Sequence, residues 1–340
     1  MAQKSFLSVN ERIDALALLG QRLRNITPDD EAAFQHAYHK NNWFTRDNVD
    51  RALRNIADEF LDKDKLNAFA GKYNLFQRDV AAKTIGLVFA GNIPLVGFHD
   101  WLCVVLCGHN ALVKLSSKDD VLFPFVLNEL HRIEPRFASQ TTIAEQLKNF
   151  DAVIATGSNN SARYFEHYFG KYPHIIRRNR SAVAVVDERT TPAELELLAD
   201  DVFAYFGLGC RNVSKLYLHQ GVSIDTVLQH FDKYKHVLDH NKYRNNYDYR
   251  YTIVIMNQQP HHTNGSVLAV PDEAISTPLS ILHYEQYDSR EALNQKLEQH
   301  KEEIQAIVGH GFIPFGHAQT PSLTEYADGV DVMEFLLQLD

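Results

Sequence analysis

Cysteine is nearly absent from this sequence, with Cys103, Cys107 and Cys210 the only three in 340 residues. So sparse and odd a set excludes a disulfide framework and leaves one question open, whether a thiol is chemically active. Positive charge is also short. With 34 Lys and Arg against 43 Asp and Glu the net charge is −9, which argues against non-specific binding to nucleic acid or an anionic membrane. No apolar run approaches the ~20 residues of a membrane helix; Trp101 to Leu106 is typical of the longest. The first twenty residues carry Asn10, Glu11 and Asp14 inside their apolar stretch and do not read as a signal peptide, so a cytoplasmic location is expected. HExxH and CxxC are missing despite 17 histidines, and His261-His262 read as a solvated turn, so no metal is expected. Repeats and low-complexity tracts are missing too. What remains is a globular composition, 45% hydrophobic and 23% charged, long enough for two domains.

Residues 1 to about 78 read as helical, with Ile13, Leu16, Leu19 and Leu23 at three- and four-residue spacing and a further helix from Asp47 or Asn48 through Phe60. Short apolar runs then alternate with segments long enough for helices: Thr84 to Ala90, Ala111 to Leu115 and Asp151 to Ala155. That alternation predicts a parallel α/β sheet. A second such stretch has strand candidates at Ala182 to Val186, Val213 to Leu218 and Tyr251 to Met256. Between the first two, Thr191, Pro192 and Glu194 spell a capping box for a helix whose apolar face runs to Phe206 and which Gly207 or Gly209 ends. Val330 to Leu337 is expected as an edge strand, and the aromatic segment Tyr243 to Tyr251 as a packed or surface stretch, not a base-stacking platform.

Three local constellations carry chemistry. Phe89 to Gly97 (FAGNIPLVG) leads from a strand into an apolar segment; such a turn offers backbone N–H groups to a phosphate or oxyanion, or merely satisfies the chain's need for positive φ. Thr156, Gly157 and Ser158 follow a strand and precede a helix from Asn160 to Phe169; an N-cap is the bland reading, and a position at the carboxyl end of a parallel strand favours a pyrophosphate seat. Cys103 and Cys107 lie four apart in an apolar helix and read as packing. Cys210 has glycine neighbours and the positive charges of Arg211 and Lys215. A position at a helix C-terminus would nonetheless raise its thiol pKa, so a nucleophile and an inert residue both stand open here.

In order and spacing these pieces, GNIP after one strand, a lysine closing the next (LVKLSS), TGS after another and a cysteine leaving a helix, resemble the aldehyde dehydrogenase superfamily. Within it the sequence is most similar to the LuxC-type acyl-CoA reductases, the fatty-acyl reductases of bacterial bioluminescence. The likeness covers Lys83 to Leu218, with a weaker match at Pro314-Phe315-Gly316. It implies an aldehyde dehydrogenase-like α/β fold, with a Rossmann-type cofactor domain that together with the helical N-terminus takes up 1–176 and returns at 317–340, and a catalytic domain at 177–316; the superfamily pattern does not account for the first ~75 residues. It implies Cys210 as nucleophile, Asn92 as oxyanion donor, Lys114 as the ribose-contacting lysine, and Thr156, Gly157 and Ser158 as the pyrophosphate turn.

Departures from the superfamily pattern sharpen the expectation. Where many members carry an acidic residue three positions after the lysine, this chain has Ser117, between Ser116 and Lys118, which favours NADPH while leaving room for NADH. The segment His174 to Ser181 (HIIRRNRS) lacks the glutamate that activates water in hydrolytic members, so the resemblance implies exchange with coenzyme A. A later superfamily glutamate is also missing from Ala274 to Leu279, where only Glu273 is near. Arg177, Arg178 and Arg180 are candidates for phosphates of coenzyme A or cofactor, with a solvated turn as the plain alternative. Expected, then, is NADPH-dependent reduction of an acyl-CoA to the aldehyde through an acyl-cysteine. The alternatives are oxidation of an aldehyde to a free acid, and a non-catalytic acyl-binding subunit. A homo-oligomer and an acyl-delivering partner protein are compatible with the resemblance.

Overall fold

The computed structural model describes residues 7–78 and 81–339. Two compact units divide the chain, Met1–Arg178 together with Pro321–Asp340, and Asn179–Thr320.

The first unit opens with helix α1 (Val9–Arg24), started by a capping box between Ser8 and Glu11 and burying Ile13, Leu16, Leu19 and Leu23 on one face. Helices α2 (Glu31–Lys40), α3 (Arg46–Asn55) and α4 (Lys63–Lys72) follow, α3 running into a π-helical turn, Ile56–Phe60. The α/β part comprises β1 (Thr84–Val88), α5 (Phe98–Cys107), β2 (Asn110–Lys114), α6 (Leu122–Ile133), β3 (Thr141–Ile143), β4 (Ala152–Thr156), α7 (Asn159–Phe169) and β5 (His174–Arg177). Its sheet is wholly parallel in the order β3-β2-β1-β4-β5, with β1 central: Ile85 faces Ala111 on one side and Ala152 on the other. Strands buried on both faces need continuous apolar runs, which is why β1, β2 and β4 stand out in the sequence while the short β3 and β5 do not.

The second unit comprises β6 (Ser181–Val186), α8 (Pro192–Phe203), β7 (Val213–His219), α9 (Ile224–Gln229), α10 (Asn241–Met256), β8 (His262–Thr263), β9 (Leu268–Pro271), β10 (Ile281–Tyr287), α11 (Arg290–Gln299) and β11 (Ile304–Val308). Its sheet runs β11-β6-β7-β10-β9-β8 and is parallel except where the two-residue β8 pairs antiparallel with β9. The chain then re-enters the first unit, where helix α12 (Val332–Leu337) buries Val332, Met333 and Leu336 in the core shared with α5. Tyr73 donates to Asp331 at 2.6 Å, and the His109 ring, buried at β2's start, meets Leu336 O at 3.1 Å. Among the described residues, no helix is long and apolar enough to cross a membrane.

Three segments differ from the sequence expectation. Tyr251–Met256 is the end of α10, not a strand: the helix begins at Asn241, and its buried Tyr243, Tyr247 and Val254 follow helical spacing, so tertiary packing overrides the β-branched run. Val330–Leu337 is not an edge strand either. Asp331 accepts the Glu334 N–H at 2.9 Å and starts α12 there. Helix α8 ends at Phe203, earlier than Gly207, because Tyr205, Phe206 and Gly207 all take left-handed φ of 51°, 57° and 78°.

Candidate active site

In the first unit, β2, β1 and β4 are adjacent and parallel, so the loops leaving their carboxyl ends open on one edge of the sheet. The loop after β1 holds Asn92, exposed, between the buried Gly91 and Pro94. A Cβ on Gly91 would lie 2.7 Å from Ser116 Oγ, so glycine is what lets this loop pack on the next. Asn41 Nδ2 donates to both Gly91 O and Lys118 O at 3.3 Å, and Asp119 Oδ2 accepts the Leu95 N–H at 2.7 Å, where Leu95 has φ +56°. Burial pushes the Asp119 carboxyl up to about 7, against the pull of the Leu95 and Leu122 N–H groups.

Lys114 at the end of β2 and Ser117 and Lys118 in the loop after it are exposed, while the half-buried Ser116 accepts the Lys118 N–H at 3.2 Å. After β4, Thr156 and Gly157 are half-buried and Ser158 caps α7, its Oγ accepting the Ser161 N–H at 3.2 Å. The structure therefore brings Asn92, Lys114, Ser116, Ser117, Lys118, Thr156, Gly157 and Ser158 to one edge. As a donor set it suits an anionic dinucleotide: two ammonium groups, hydroxyls and a helix N-terminus, with no carboxylate from Lys114 to Lys118 or from Thr156 to Ser158.

The three arginines have separate duties. Arg177 is buried at the end of β5 in a bidentate pair with Asp100 of α5, one bond at 2.8 Å, so its guanidinium is committed. Arg178 is exposed and bonds Glu166 at 2.6 Å. Arg180, in the second unit, reaches Lys301 O and Ile304 O at 3.4 Å and Glu302 at 3.5 Å.

Cys210 lies in the second unit, in the turn between α8 and β7, and is half-buried; Cys103 and Cys107 are buried in α5 of the first unit. Burial pushes the Cys103 thiol well up and the Cys107 thiol up to about 12, which keeps both protonated. Cys210 is seven residues past the last residue of α8, and the left-handed run Tyr205 to Gly207 lies between them. Arg211 donates through Nε to Ala318 O.

Residues that sequence reasoning missed hold this turn. Asn212 is buried and donates through Nδ2 to the carbonyls of Asp201, Val202 and Ala204 at 3.1, 3.3 and 2.8 Å, while its Oδ1 accepts the Gly209 N–H at 2.7 Å. Asp201, fully buried, accepts the N–H groups of Gly316 and Ala318 at 2.7 and 2.9 Å. Lys215, expected as a positive charge beside Cys210, is instead fully buried on β7, paired with Glu285 and donating to Asp272 O at 3.0 Å. The signal available in the sequence for Asn212 and Asp201 was slight, a polar residue beside an apolar run, as Asp201 stands within LADDVF.

The family model described as acyl-CoA reductase (LuxC) matches residues 19–227. A search of curated proteins found no match. Among solved structures, an oxidoreductase from Marinobacter aquaeolei is similar with a TM-score of 0.66 at 9% identity, covering 89% of this chain and 74% of that one. Aldehyde dehydrogenase 21 from Physcomitrella patens, in complex with the reaction product succinate, has a TM-score of 0.63 at 14% identity over 90% and 74%. The NAD+ complex of an aldehyde dehydrogenase from Bacillus cereus has 0.63 at 10% identity over 91% and 73%. At these identities the likeness establishes the fold, which is that of the aldehyde dehydrogenases.

Proposed function

Because the chain belongs to the LuxC family of acyl-CoA reductases, and is thus an oxidoreductase, we propose that it reduces an acyl-CoA thioester to the aldehyde through an acyl-cysteine on Cys210. The observation that carries this reading is the sorting of the three thiols: two are sealed in α5 with raised pKa values, and the third stands in a braced, half-buried turn.

As thiolate, Cys210 attacks the thioester carbonyl, and the oxyanion is met by the Asn92 amide and the Cys210 N–H. Collapse breaks the bond to coenzyme A, which leaves as its thiolate and takes up a proton. The segment His174–Ser181 offers no carboxylate to activate water, which favours reduction of the acyl-cysteine over its hydrolysis. Lys114, Ser116, Ser117, Lys118, Thr156, Gly157 and Ser158 would hold a dinucleotide; Lys118 and the lack of an acid at 117 favour a 2′-phosphate, hence NADPH. When bound, that cofactor supplies a hydride. Cys210 carries the carbon through the thiohemiacetal oxidation level and departs as thiolate when the aldehyde forms. Arg178, whose pair with Glu166 is exposed to solvent and therefore weak, is the arginine best suited to a ligand phosphate, since Arg177 is buried against Asp100 and Arg180 is bonded to Lys301 O, Ile304 O and Glu302.

The test is NADPH oxidation against acyl-CoAs of graded chain length, with acyl-labelling of Cys210 in the absence of cofactor. Labelling is expected, with loss of label as aldehyde on adding NADPH. Cys210→Ala should abolish both, and Asn92→Ala should lower kcat by about 10² to 10³. Free acid as product without coenzyme A turnover, or turnover by Cys210→Ala, would sink the reading.

A further inference from the structure

We propose that Asn212 is a positioning residue for this reaction, a buried amide that locks the strained turn presenting Cys210. The inference rests on the reading of Cys210 as nucleophile.

Between the end of α8 and Cys210 the backbone passes through three consecutive left-handed residues, two of them the bulky Tyr205 and Phe206. L-residues adopt that region singly and at a cost, and a run of them persists only where the surroundings over-determine it. Asn212 meets that need from one side chain. Its Nδ2 takes the carbonyls of Asp201, Val202 and Ala204 at the helix end, one of its two N–H groups being shared. Its Oδ1 takes the Gly209 N–H, immediately before the cysteine, and its backbone N–H donates to Gly209 O at 3.0 Å. Its own carbonyl accepts from Ala182 of β6 at 3.1 Å, so the clamp is fixed to the sheet.

Further bonds brace the same turn. Asp201 holds the N–H groups of Gly316 and Ala318, and Arg211, on the other side of Cys210, donates to Ala318 O. The direction of the Cys210 backbone N–H, one of the two proposed oxyanion donors, is set by this turn. Truncating Asn212 leaves buried carbonyls without a donor and releases the peptide that aims the nucleophile.

The test compares wild type, Asn212→Ala and Asn212→Asp, with kcat normalised to the number of Cys210 sites that acyl-CoA can label and folding checked by circular dichroism. The expected result is a fall of about 10²-fold in kcat per labelled site, with the KM values for acyl-CoA and NADPH changed by less than about threefold. Asn212→Asp keeps the acceptor for Gly209 but donates to the helix carbonyls only when protonated. Its kcat relative to wild type should therefore rise as pH falls from 8 to 6. Wild-type kcat per labelled site at pH 8 in either folded variant overturns the proposal, as does a loss confined to the number of sites. Failure of both variants to fold also overturns it, leaving Asn212 a structural residue. Turnover by Cys210→Ala would instead sink the parent reading; an inert Cys210→Ala beside fully active Asn212 variants sinks the positioning role alone.

Discussion

Burial changes what an aspartate at position 119 can do. In water its carboxyl would ionise at ~3.9, but desolvation in the core raises it to about 7, while it still accepts the Leu95 N–H beside Asn92. With the folded pKa above the unfolded one, the folded state holds a proton that the unfolded chain has lost. Stability therefore falls as pH rises from ~4 towards 7 and stays low above it. An asparagine in its place would keep an acceptor and shed the charge. For Asp119→Asn, melting temperatures from pH 4 to 8 should show an advantage over wild type that grows with pH and levels off above 7. A flat difference would place the charge elsewhere. The motif containing this acid, LSSKDD, shows nothing of its burial; its hydrogen-bond partner is 24 residues away.

Helix α8 shows which features of an element can be read in advance. Its start was legible, since Thr191, Pro192 and Glu194 make a capping box from residues three apart, and the structure has both bonds, at 3.3 and 2.8 Å. Thr191→Ala should cost about 1 kcal/mol, read as roughly fivefold faster hydrogen exchange of the amides in α8's first turns. Its end was not legible, because the left-handed run there is held by Asn212 and by contacts that sequence spacing does not encode. Strands β1, β2, β4, β6 and β7 showed as apolar runs because both faces of a parallel sheet are covered, whereas β3, β5 and β8 to β11, shorter or with polar residues among the apolar ones, did not stand out. The same rule misread α10 and α12, whose β-branched or apolar stretches bury one helical face. For the site, linear motifs revealed Asn92, Lys114, Ser158 and Cys210 as candidates. The groups that brace the loops, Asn212, Asp201, Asp119 and Asp100, reach partners as far as 11, 117, 24 and 77 residues away and carry no local signature.

Over the whole molecule, each unit has its own sheet and core, and one buried ion pair illustrates what such cores demand. Asp100 and Arg177 have side chains 7% and 6% exposed, joining the first turn of α5 to the end of β5. Removing one partner strands a charge in the interior, at about 3 to 5 kcal/mol. Asp100→Ala should accordingly speed hydrogen exchange in β4 and β5 from about a hundredfold to several thousandfold, leaving β6 and β7 as controls. The route of the chain has a temporal counterpart. The core that α5 and α12 share is made from residues on either side of the second unit, with Cys107 Sγ 3.6 Å from Met333 Sδ. A ribosome adding about 5 to 20 residues per second needs roughly 7 to 30 s to translate the 142 residues of Asn179–Thr320. During that interval the nascent first unit displays the α5 surface that α12 will cover, while the second unit is a contiguous stretch able to mature as it emerges.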